Sequence, residues 1–377
     1  MITLEYSNLT KVVPEHGVSA TEMEPAVPLG DYLQRIHERK QGWYQVIDDQ
    51  EMIDSVKAFA DENRDKFDHF VVCGIGGSAL GTRCLLNALT ESKKLFVLDN
   101  VDPDFIKCVE SKIDPAKTLF IVISKSGGTT ETLSQYEYFK TKAPAENFVL
   151  IGGFENAHFS IPENVGGRFS VLTPVGLLPA ALIGIDIDGL VSGAREMRDR
   201  FLAESDNPCF ELAQIQYQLS KKGKNITVLY PYAQRLKYLA DWYKQLLAES
   251  IGKADNVGLT PVSALGVTDQ HSQSQLYMDG PFDKLIIFIE VEEFHNSIEP
   301  FNKLMKIEKQ GTEEALTQKN KPSVTIQIPK VEAQALGGLF MLFEGSIAFL
   351  GEMFDINAFD QPGVELSKQL TKKYLDA

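Results

Sequence analysis

The sequence predicts an α/β fold built from two three-layer αβα units, each with a mainly parallel sheet covered by helices, followed by a helical tail. Short apolar runs typical of buried strands alternate with helical stretches at 68–73, 95–98, 118–123 and 148–151, and the alternation restarts at 226–230. The chain has 377 residues, of which 44% are apolar, so it is long enough for two packed cores.

This alternation divides the chain into four predicted segments. They are an N-terminal arm at 1–50 with a helix near 31–40, a first αβα unit at 51–204, a second at 205–355, and a tail at 356–377. A polar stretch at 204–207 marks the linker between the units. Residues 331–353 are so uniformly apolar that we expect a helix buried on most sides.

Composition restricts the partners and the compartment. The net charge of −15 argues against nucleic acid or an anionic membrane as a partner. The four cysteines form no CxxC pair, which favours reduced thiols in a cytoplasm. We find neither a basic and apolar leader nor an apolar run of the roughly 18 residues that a membrane span requires. We therefore expect a cytoplasmic protein without nucleic-acid or membrane partners.

The stretch at 124–132, Ser-Lys-Ser-Gly-Gly-Thr-Thr-Glu-Thr, follows directly on a predicted buried strand. A strand-to-helix turn of this composition offers a phosphate group backbone N–H donors, hydroxyls and the positive end of a helix dipole. Gly127 and Gly128 allow the backbone to approach a ligand closely. Taken alone, the stretch fits a phosphate-binding loop and a plain polar connection equally well.

A second glycine-rich turn, Gly-Ile-Gly-Gly-Ser-Ala-Leu-Gly at 74–81, follows the strand at 68–73. Its spacing matches a dinucleotide-binding fingerprint only loosely. The acidic residue that would bind a ribose should close the next strand, and the nearest candidate, Asp99, lies slightly early. Nucleotide binding is therefore the weaker interpretation of this turn.

Several single residues have side chains suited to chemistry. Glu249 lies at the edge of an apolar helix stripe, in the last turn, where a partly desolvated carboxylate suits a general base. His271 lies in a polar, amide-rich stretch, and Arg168 is flanked by Gly166, Gly167 and Phe169. On position alone each of these residues fits a structural or solvated role better than a catalytic one.

Together, six stretches resemble the glucose-6-phosphate isomerase family, whose members consist of two sugar-isomerase (SIS) domains. In chain order they are Gly-Ile-Gly-Gly-Ser at 74–78, the hydroxyl-rich stretch at 124–132, Gly-Gly-Arg-Phe-Ser at 166–170, residues 245–253 with Glu-Ser-Ile-Gly-Lys, Asp-Gln-His-Ser at 269–272, and Gln-Pro-Gly-Val-Glu-Leu-Ser-Lys at 361–368. The resemblance implies interconversion of glucose 6-phosphate and fructose 6-phosphate through ring opening and a cis-enediol, with no cofactor and no metal.

The resemblance also implies roles for individual residues. Glu249 would be the base, His271 and Lys368 would act in ring opening, and Arg168 would stabilise the enediolate. The substrate-binding residues would be Gly77, Ser78, Ser124, Lys125 (mainly through its backbone amide), Ser126, Thr129, Glu131 and Gln361. The family is generally dimeric, so we expect a homodimer in which His271 reaches the partner's site. This reaction needs one carboxylate that reaches both carbons and a fixed cation for the oxyanion.

The sequence departs from the family pattern at two positions. Gly128 stands where a hydroxyl residue is common, and Pro362 where many members carry Trp. Three alternatives remain open from sequence alone: an isomerase that also accepts mannose 6-phosphate, a non-catalytic regulator that binds sugar phosphates with the same fold, and, weakest, a Rossmann dehydrogenase. No helix-turn-helix or basic segment that would favour a DNA-binding regulator is recognisable.

Overall fold

A computed structural model describes residues 1–375, whose strands form two separate sheets flanked by helices. The strands are Thr3–Glu5 (β1), His69–Cys73 (β2), Leu95–Leu98 (β3), Thr118–Ser124 (β4), Phe148–Gly152 (β5), Ile226–Pro231 (β6), Thr260–Ser263 (β7), Lys284–Glu293 (β8) and Ser323–Lys330 (β9). The helices are Ala20–Met23 (α1), Leu29–Glu38 (α2), Gln50–Asn63 (α3), Leu80–Leu89 (α4), Pro103–Glu110 (α5), Thr130–Lys140 (α6), Pro174–Leu182 (α7), Ile187–Phe201 (α8), Pro208–Lys221 (α9), Lys237–Ile251 (α10), Ser274–Asp279 (α11), Glu299–Gln318 (α12), Ala333–Met353 (α13) and Glu365–Leu375 (α14).

The two sheets have the same strand order, which confirms the predicted fold class of two mainly parallel αβα units. The first sheet runs β3-β2-β4-β5, with every pair parallel. The second runs β7-β6-β8-β9, again parallel, and β1 adds to its edge by pairing antiparallel with β9. In each unit the first of the four parallel strands, β2 or β6, lies between the next two. It pairs with β3 and β4 in the first unit and with β7 and β8 in the second.

Strand β4 shows how burial on both faces gives a continuous apolar sequence. All of its residues are buried, and alternate side chains point to opposite faces. Phe120 and Val122 face an outer cluster that α5 and α6 cover, whereas Ile121 and Ile123 face the main core. The strand therefore reads as an unbroken apolar run, as the sequence pattern indicated.

The main core lies between the inner faces of the two sheets, where helices from both halves pack together. Helix α13 lies at its centre and is buried from Ala335 to Met353, in agreement with the predicted buried helix. The expectation that no apolar run is long enough to cross a membrane was wrong for this helix, whose length and composition would suit a span, but 89% of its 18-residue apolar stretch is buried inside the protein. Burial in the core accounts for the apolar composition of this helix.

The structure adds elements that the sequence pattern did not indicate. Strand β1 lies at the start of the predicted N-terminal arm, and its three residues extend the edge of the second sheet. Strand β7 and the long helix α12 were also not predicted. The boundaries at 50, 204 and 355 remain predictions, and the predicted tail ends with Asp376 and Ala377, which lie outside the described residues.

Helices α8 and α13 approach each other closely through glycines. A Cβ atom on Gly337 would lie 1.8 Å from the carbonyl oxygen of Leu190, and one on Gly193 would lie 1.8 Å from that of Gln334. Both obstacles are backbone atoms, which cannot swing away. We predict that Gly337→Ala lowers the free energy of unfolding by about 1–3 kcal/mol, as overpacking does, although alanine favours a helix. Urea denaturation measures this change.

Gly311→Ala is the matched control for this prediction. Gly311 lies inside α12, and a Cβ atom there would meet nothing within 4 Å. The substitution should therefore stabilise the protein by about 0.5–1 kcal/mol, the usual gain of alanine over glycine in a helix. If both substitutions changed the free energy of unfolding equally, the close contact between α8 and α13 would not be the cause of the destabilisation.

Candidate active site

Two loops lie at the carboxyl ends of β2 and β4, the neighbouring strands at which the strand order of the first sheet reverses. Ligands of parallel α/β sheets bind at this position. The loop after β2 contains a 3-10 turn at Gly76–Ser78, and the loop after β4 begins at Ser124. Gly127 has a φ of +69°, and a Cβ atom on it would lie 2.2 Å from the carbonyl oxygen of Gly153, so only glycine fits there.

The hydroxyls of the second loop are held by one another and by backbone groups before α6 begins. Ser124 Oγ and Thr129 Oγ1 share a hydrogen bond of 2.9 Å, and the backbone N–H of Thr129 donates to Ser124 Oγ at 3.4 Å. Ser126 Oγ accepts from the N–H of Gly128 at 3.2 Å. The loop thus presents ordered hydroxyls at the positive end of a helix, an arrangement suited to a phosphate group.

The side chain of Lys125 bonds to a different loop from the one that carries these hydroxyls. Its Nζ donates to the carbonyl oxygen of Glu163 at 3.1 Å. Burial lowers the pKa of the Lys125 ammonium, and the nearby charge of Arg168 lowers it further, while Glu163 acts in the opposite direction. The contribution of the Lys125 backbone amide to a phosphate remains a prediction.

The loop after β2 packs directly on the loop that carries Arg168. A Cβ atom on Gly77 would lie 2.2 Å from the carbonyl oxygen of Gly167. On the other side, a Cβ atom on Gly76 would lie 2.8 Å from the amide nitrogen of Gln245 in α10. The glycines therefore allow this loop to fit between Arg168 and α10.

Arg168 is almost completely buried, with a side chain that is 2% exposed. Its Nε donates to Ser250 Oγ at 2.7 Å, its Nη1 to Gln361 Oε1 at 2.9 Å, and its Nη2 to the carbonyl oxygens of Asp360, at 3.0 Å, and of Ala358. A guanidinium has five N–H groups, so these four bonds leave one N–H on Nη1.

That nitrogen faces Glu249. Arg168 Nη1 lies 3.7 Å from Glu249 Oε2, and Glu249 Oε1 accepts from Gln245 Nε2 at 3.2 Å. The Glu249 side chain is 32% exposed, so it is reachable from solvent, unlike the guanidinium. Burial lowers the pKa of Arg168, while the charges of Glu249 and Asp360 oppose this shift. Arginine nevertheless stays protonated at neutral pH, so a carboxylate and a fixed cation lie side by side.

The structure brings some predicted site residues together and leaves others apart. Arg168, Glu249 and Gln361 meet, next to the loop that contains Gly77 and Ser78. In the described part of the chain, no hydrogen bond or ion pair joins His271 or Lys368 to this group. The site assignments themselves remain predictions.

His271 and Lys368 are both exposed. His271 ends the 3-10 turn Thr268–His271, and Lys368 Nζ bonds to Glu365 on its own helix, α14, at 2.8 Å. Glu131 lies half-buried in the first turn of α6, near the hydroxyl loop.

Sequence reasoning assigned no role to Ser250, Gln245, Lys253 and Asp360. Lys253 Nζ bonds to Asp360, at 2.9 Å to Oδ1 and also to the carbonyl oxygen, and so ties the end of α10 to the segment before Gln361. Burial raises the pKa of the Asp360 carboxyl, but the hydrogen bond and charge of Lys253 outweigh it, and the pKa lies below its ordinary value. The sequence contained one signal for Ser250. The residue lies on a buried helix stripe, where its hydroxyl needs a hydrogen-bond partner.

Within residues 1–375, no group of three or more His, Cys, Asp or Glu side chains is arranged to hold a metal ion. The candidate site offers a carboxylate beside a guanidinium and a set of hydroxyls.

The fold and these loops define an α/β protein of two parallel-sheet units with a hydroxyl-rich loop at the first switch point. A family model described as phosphoglucose isomerase matches residues 45–268 and 296–377. The chain belongs to the phosphoglucose isomerase family. The matched ranges include Arg168, Glu249, Gln361 and Lys368, whereas His271 lies between them.

Individual relatives agree with this assignment. The chain is 45% identical to a glucose-6-phosphate isomerase of Carboxydothermus hydrogenoformans, over 85% of this chain and 82% of the relative. It is 34% identical to the glucose-6-phosphate isomerase of Methanocaldococcus jannaschii, over 98% of each. Among solved structures, a hypothetical protein of Thermus thermophilus aligns over 100% of both chains with a TM-score of 0.90 and 33% identity.

We predict that Gly127→Ala weakens phosphate binding at the hydroxyl loop. The substitution combines a left-handed backbone with a backbone clash, a strain of about 1–3 kcal/mol or more, which corresponds to at least about fivefold weaker binding. Titration with inorganic phosphate, followed by calorimetry, measures the affinity.

Gly128→Ser provides the control. A Cβ atom on Gly128 would meet only Ser126 Oγ, at 3.9 Å, so the backbone should keep its conformation. Serine also supplies the hydroxyl that is common in the family, and phosphate should bind at least as well as in the parent protein. Unchanged phosphate affinity in Gly127→Ala would show that the loop does not bind the anion.

Proposed function

We propose that this chain interconverts glucose 6-phosphate and fructose 6-phosphate, with Glu249 as the base that moves a proton between C2 and C1. One observation carries the assignment of the base: the Glu249 carboxylate, reachable from solvent, lies 3.7 Å from the fixed Arg168 guanidinium. An enediolate intermediate develops negative charge on oxygen next to the carbons that exchange the proton. A base and a cation at this separation can serve both needs.

The phosphate of the substrate is assigned to the loops at the first switch point. Ser124, Ser126 and Thr129 supply hydroxyls from the loop after β4, and Ser78 does so from the loop after β2. The mutual bonds of Ser124 and Thr129 support this assignment, because hydroxyls ordered before binding lose little entropy when the anion arrives. Backbone N–H groups of Gly77 and Lys125 complete the predicted set.

Arg168 stabilises the oxyanion through the N–H that its four protein partners leave over. The other four bonds hold the guanidinium in place, so no reorganisation is needed when charge develops. Gln361 is oriented by Arg168 Nη1, which supports its predicted place at the sugar. Glu131, in the first turn of α6, is assigned to the wall of the site.

Ring opening is assigned to His271 and Lys368, and it requires a homodimer. His271 is exposed and makes no contact with Glu249 of its own chain. Next to its turn, helix α12 and the residue that precedes it carry large exposed apolar side chains: Ile298, Phe301, Leu304 and Ile307 are each at least half exposed. An apolar surface of this kind beside a catalytic histidine supports a partner subunit that covers the surface and receives His271.

Lys368 can act in ring opening only if α14 takes a different position. The helix also exposes Leu366, Leu370, Tyr374 and Leu375, so its apolar residues are unpaired in the described chain. Packing of α14 against the site or the partner would bury these residues and bring Lys368 closer to the sugar ring.

The cytoplasm is the proposed compartment. Within the described residues Cys73, Cys84, Cys108 and Cys209 are free thiols. Cysteines without disulfides are typical of a reducing environment, which is also where sugar phosphates are metabolised.

Glu249→Gln tests the base. The amide is nearly isosteric but cannot accept the proton, so kcat should fall about 10²- to 10⁴-fold while substrate binding persists. A coupled assay that starts from fructose 6-phosphate measures turnover. Glu211→Gln is the control, because Glu211 is a half-buried carboxylate in α9, outside the site, and its loss should leave kcat unchanged. Turnover in Glu249→Gln equal to that of the parent protein would rule out Glu249 as the base.

Mixing two inactive variants tests the dimer. We expect Glu249→Gln and His271→Ala each to be nearly inactive as homodimers. If His271 acts in the partner's site, every heterodimer has one site with both native residues. Random exchange should then restore about one quarter of the parent activity, because half of the dimers are mixed and half of their sites are intact. No recovery after subunit exchange would show that His271 acts in its own chain.

A further inference from the structure

The turn that carries His271 is anchored to the rest of the second unit by its neighbour Gln270. The amide nitrogen of Gln270 donates to the hydroxyl of Tyr232 at 3.0 Å and to the carbonyl oxygen of Glu308 at 3.0 Å, and it also bonds to Thr312 Oγ1. Tyr232 lies just beyond β6, while Glu308 and Thr312 belong to α12. One side chain thus ties the histidine turn to a strand end and to a helix.

The Tyr232 hydroxyl is held rigidly in place. The residue is 1% exposed, and its ring packs 5.7 Å from that of Phe288 in β8, centroid to centroid. Gly266, at the start of the chain segment that leads to His271, lies flat on the same ring, since a Cβ atom there would lie 2.5 Å from it. Tyr232 therefore contacts this segment at two points, with its ring at Gly266 and with its hydroxyl at Gln270.

Asp269 fixes the other side of the turn. Its Oδ2 accepts from the backbone N–H of Leu265 at 2.8 Å, and its Oδ1 accepts from the hydroxyl of Ser272. Residues immediately before and after His271 are thus bonded, whereas the described part of the chain offers the imidazole itself no hydrogen bond. A rigid turn that leaves its histidine exposed and unbonded is arranged to present that side chain to something outside the chain.

We infer that Tyr232 and Gln270 are positioning residues that hold His271 for ring opening. This inference rests on the proposed role of His271. Neither residue is assigned to touch the substrate. They act by restricting the orientations that the histidine turn can adopt, since a small misplacement of a catalytic group lowers the rate steeply.

Tyr232→Phe and Gln270→Leu test the inference. Each removes part of the anchor and keeps the shape of the side chain. We expect kcat for fructose 6-phosphate to fall about tenfold in both variants, with KM changed by less than about twofold, because the phosphate and Glu249 remain in place. Either variant alone suffices if the other fails to fold.

A double-mutant cycle with His271→Ala separates positioning from general destabilisation. If Tyr232 and Gln270 act through His271, their substitution should lower kcat no further in the His271→Ala background. Tyr243→Phe is the control: it removes a hydroxyl that is equally buried and also bonded to a glutamine, Gln216, at 3.0 Å, but that lies in α10. It should leave kcat unchanged.

The outcomes distinguish the inference from the proposal on which it depends. If His271→Ala retains full turnover, the proposed role of His271 is wrong and the positioning role falls with it. If His271→Ala loses turnover while Tyr232→Phe and Gln270→Leu keep theirs, only the positioning role is wrong. Losses that multiply in the double variants would likewise overturn it, because they would show that the anchor acts independently of His271.

Discussion

The buried guanidinium of Arg168 binds three parts of the chain that are far apart in sequence. Its own loop follows β5, Ser250 lies in α10, and Ala358, Asp360 and Gln361 precede α14. A charge with 2% exposure is unfavourable unless hydrogen bonds replace the lost water, and here neutral acceptors supply four of them. None of these four acceptors carries a charge of its own at the bonded atom, so these bonds solvate the positive charge without neutralising it. The carboxylate that faces the guanidinium is that of Glu249, 3.7 Å from Nη1.

This arrangement explains why the residues around Glu249 depend on one another. Lys253, four residues after Glu249, is bonded to Asp360, whose carbonyl oxygen also accepts from Arg168. Loss of Ser250 or Gln361 would leave a buried N–H group of Arg168 without its partner, which is usually more costly than the bond itself is worth. The network thus couples the position of the carboxylate to that of the cation, and the proposed mechanism uses both.

The sequence predicted the parts of this protein that are determined locally. Alternating strands and helices, the glycine-rich loops and the buried helix α13 each follow from residues close together in the chain, and the structure agrees with them. The contacts of Arg168 with Gln361 and of Lys253 with Asp360 join residues 193 and 107 positions apart, and no local pattern indicates such pairs. Strand β1 was missed for the same reason, because its three residues form a strand only by pairing with β9. The proposed contribution of His271 involves a second chain, which neither the sequence nor a single subunit contains.

The two units share a strand order but differ at their switch points. After β4 the first unit has a run of hydroxyl residues, whereas after β6 and β8 the second has Tyr-Ala-Gln-Arg and Phe-His-Asn-Ser. The segment after β6 continues instead into α10, which ends near Glu249, and the segment after β7 leads to His271. On the proposed assignments, one unit holds the phosphate and the other supplies the base and the histidine. Binding energy gained at a phosphate remote from C1 and C2 can then orient the sugar for proton transfer. This division requires the units to meet at a fixed distance, and the contacts of Arg168 with α10 and with the segment before α14 set that distance.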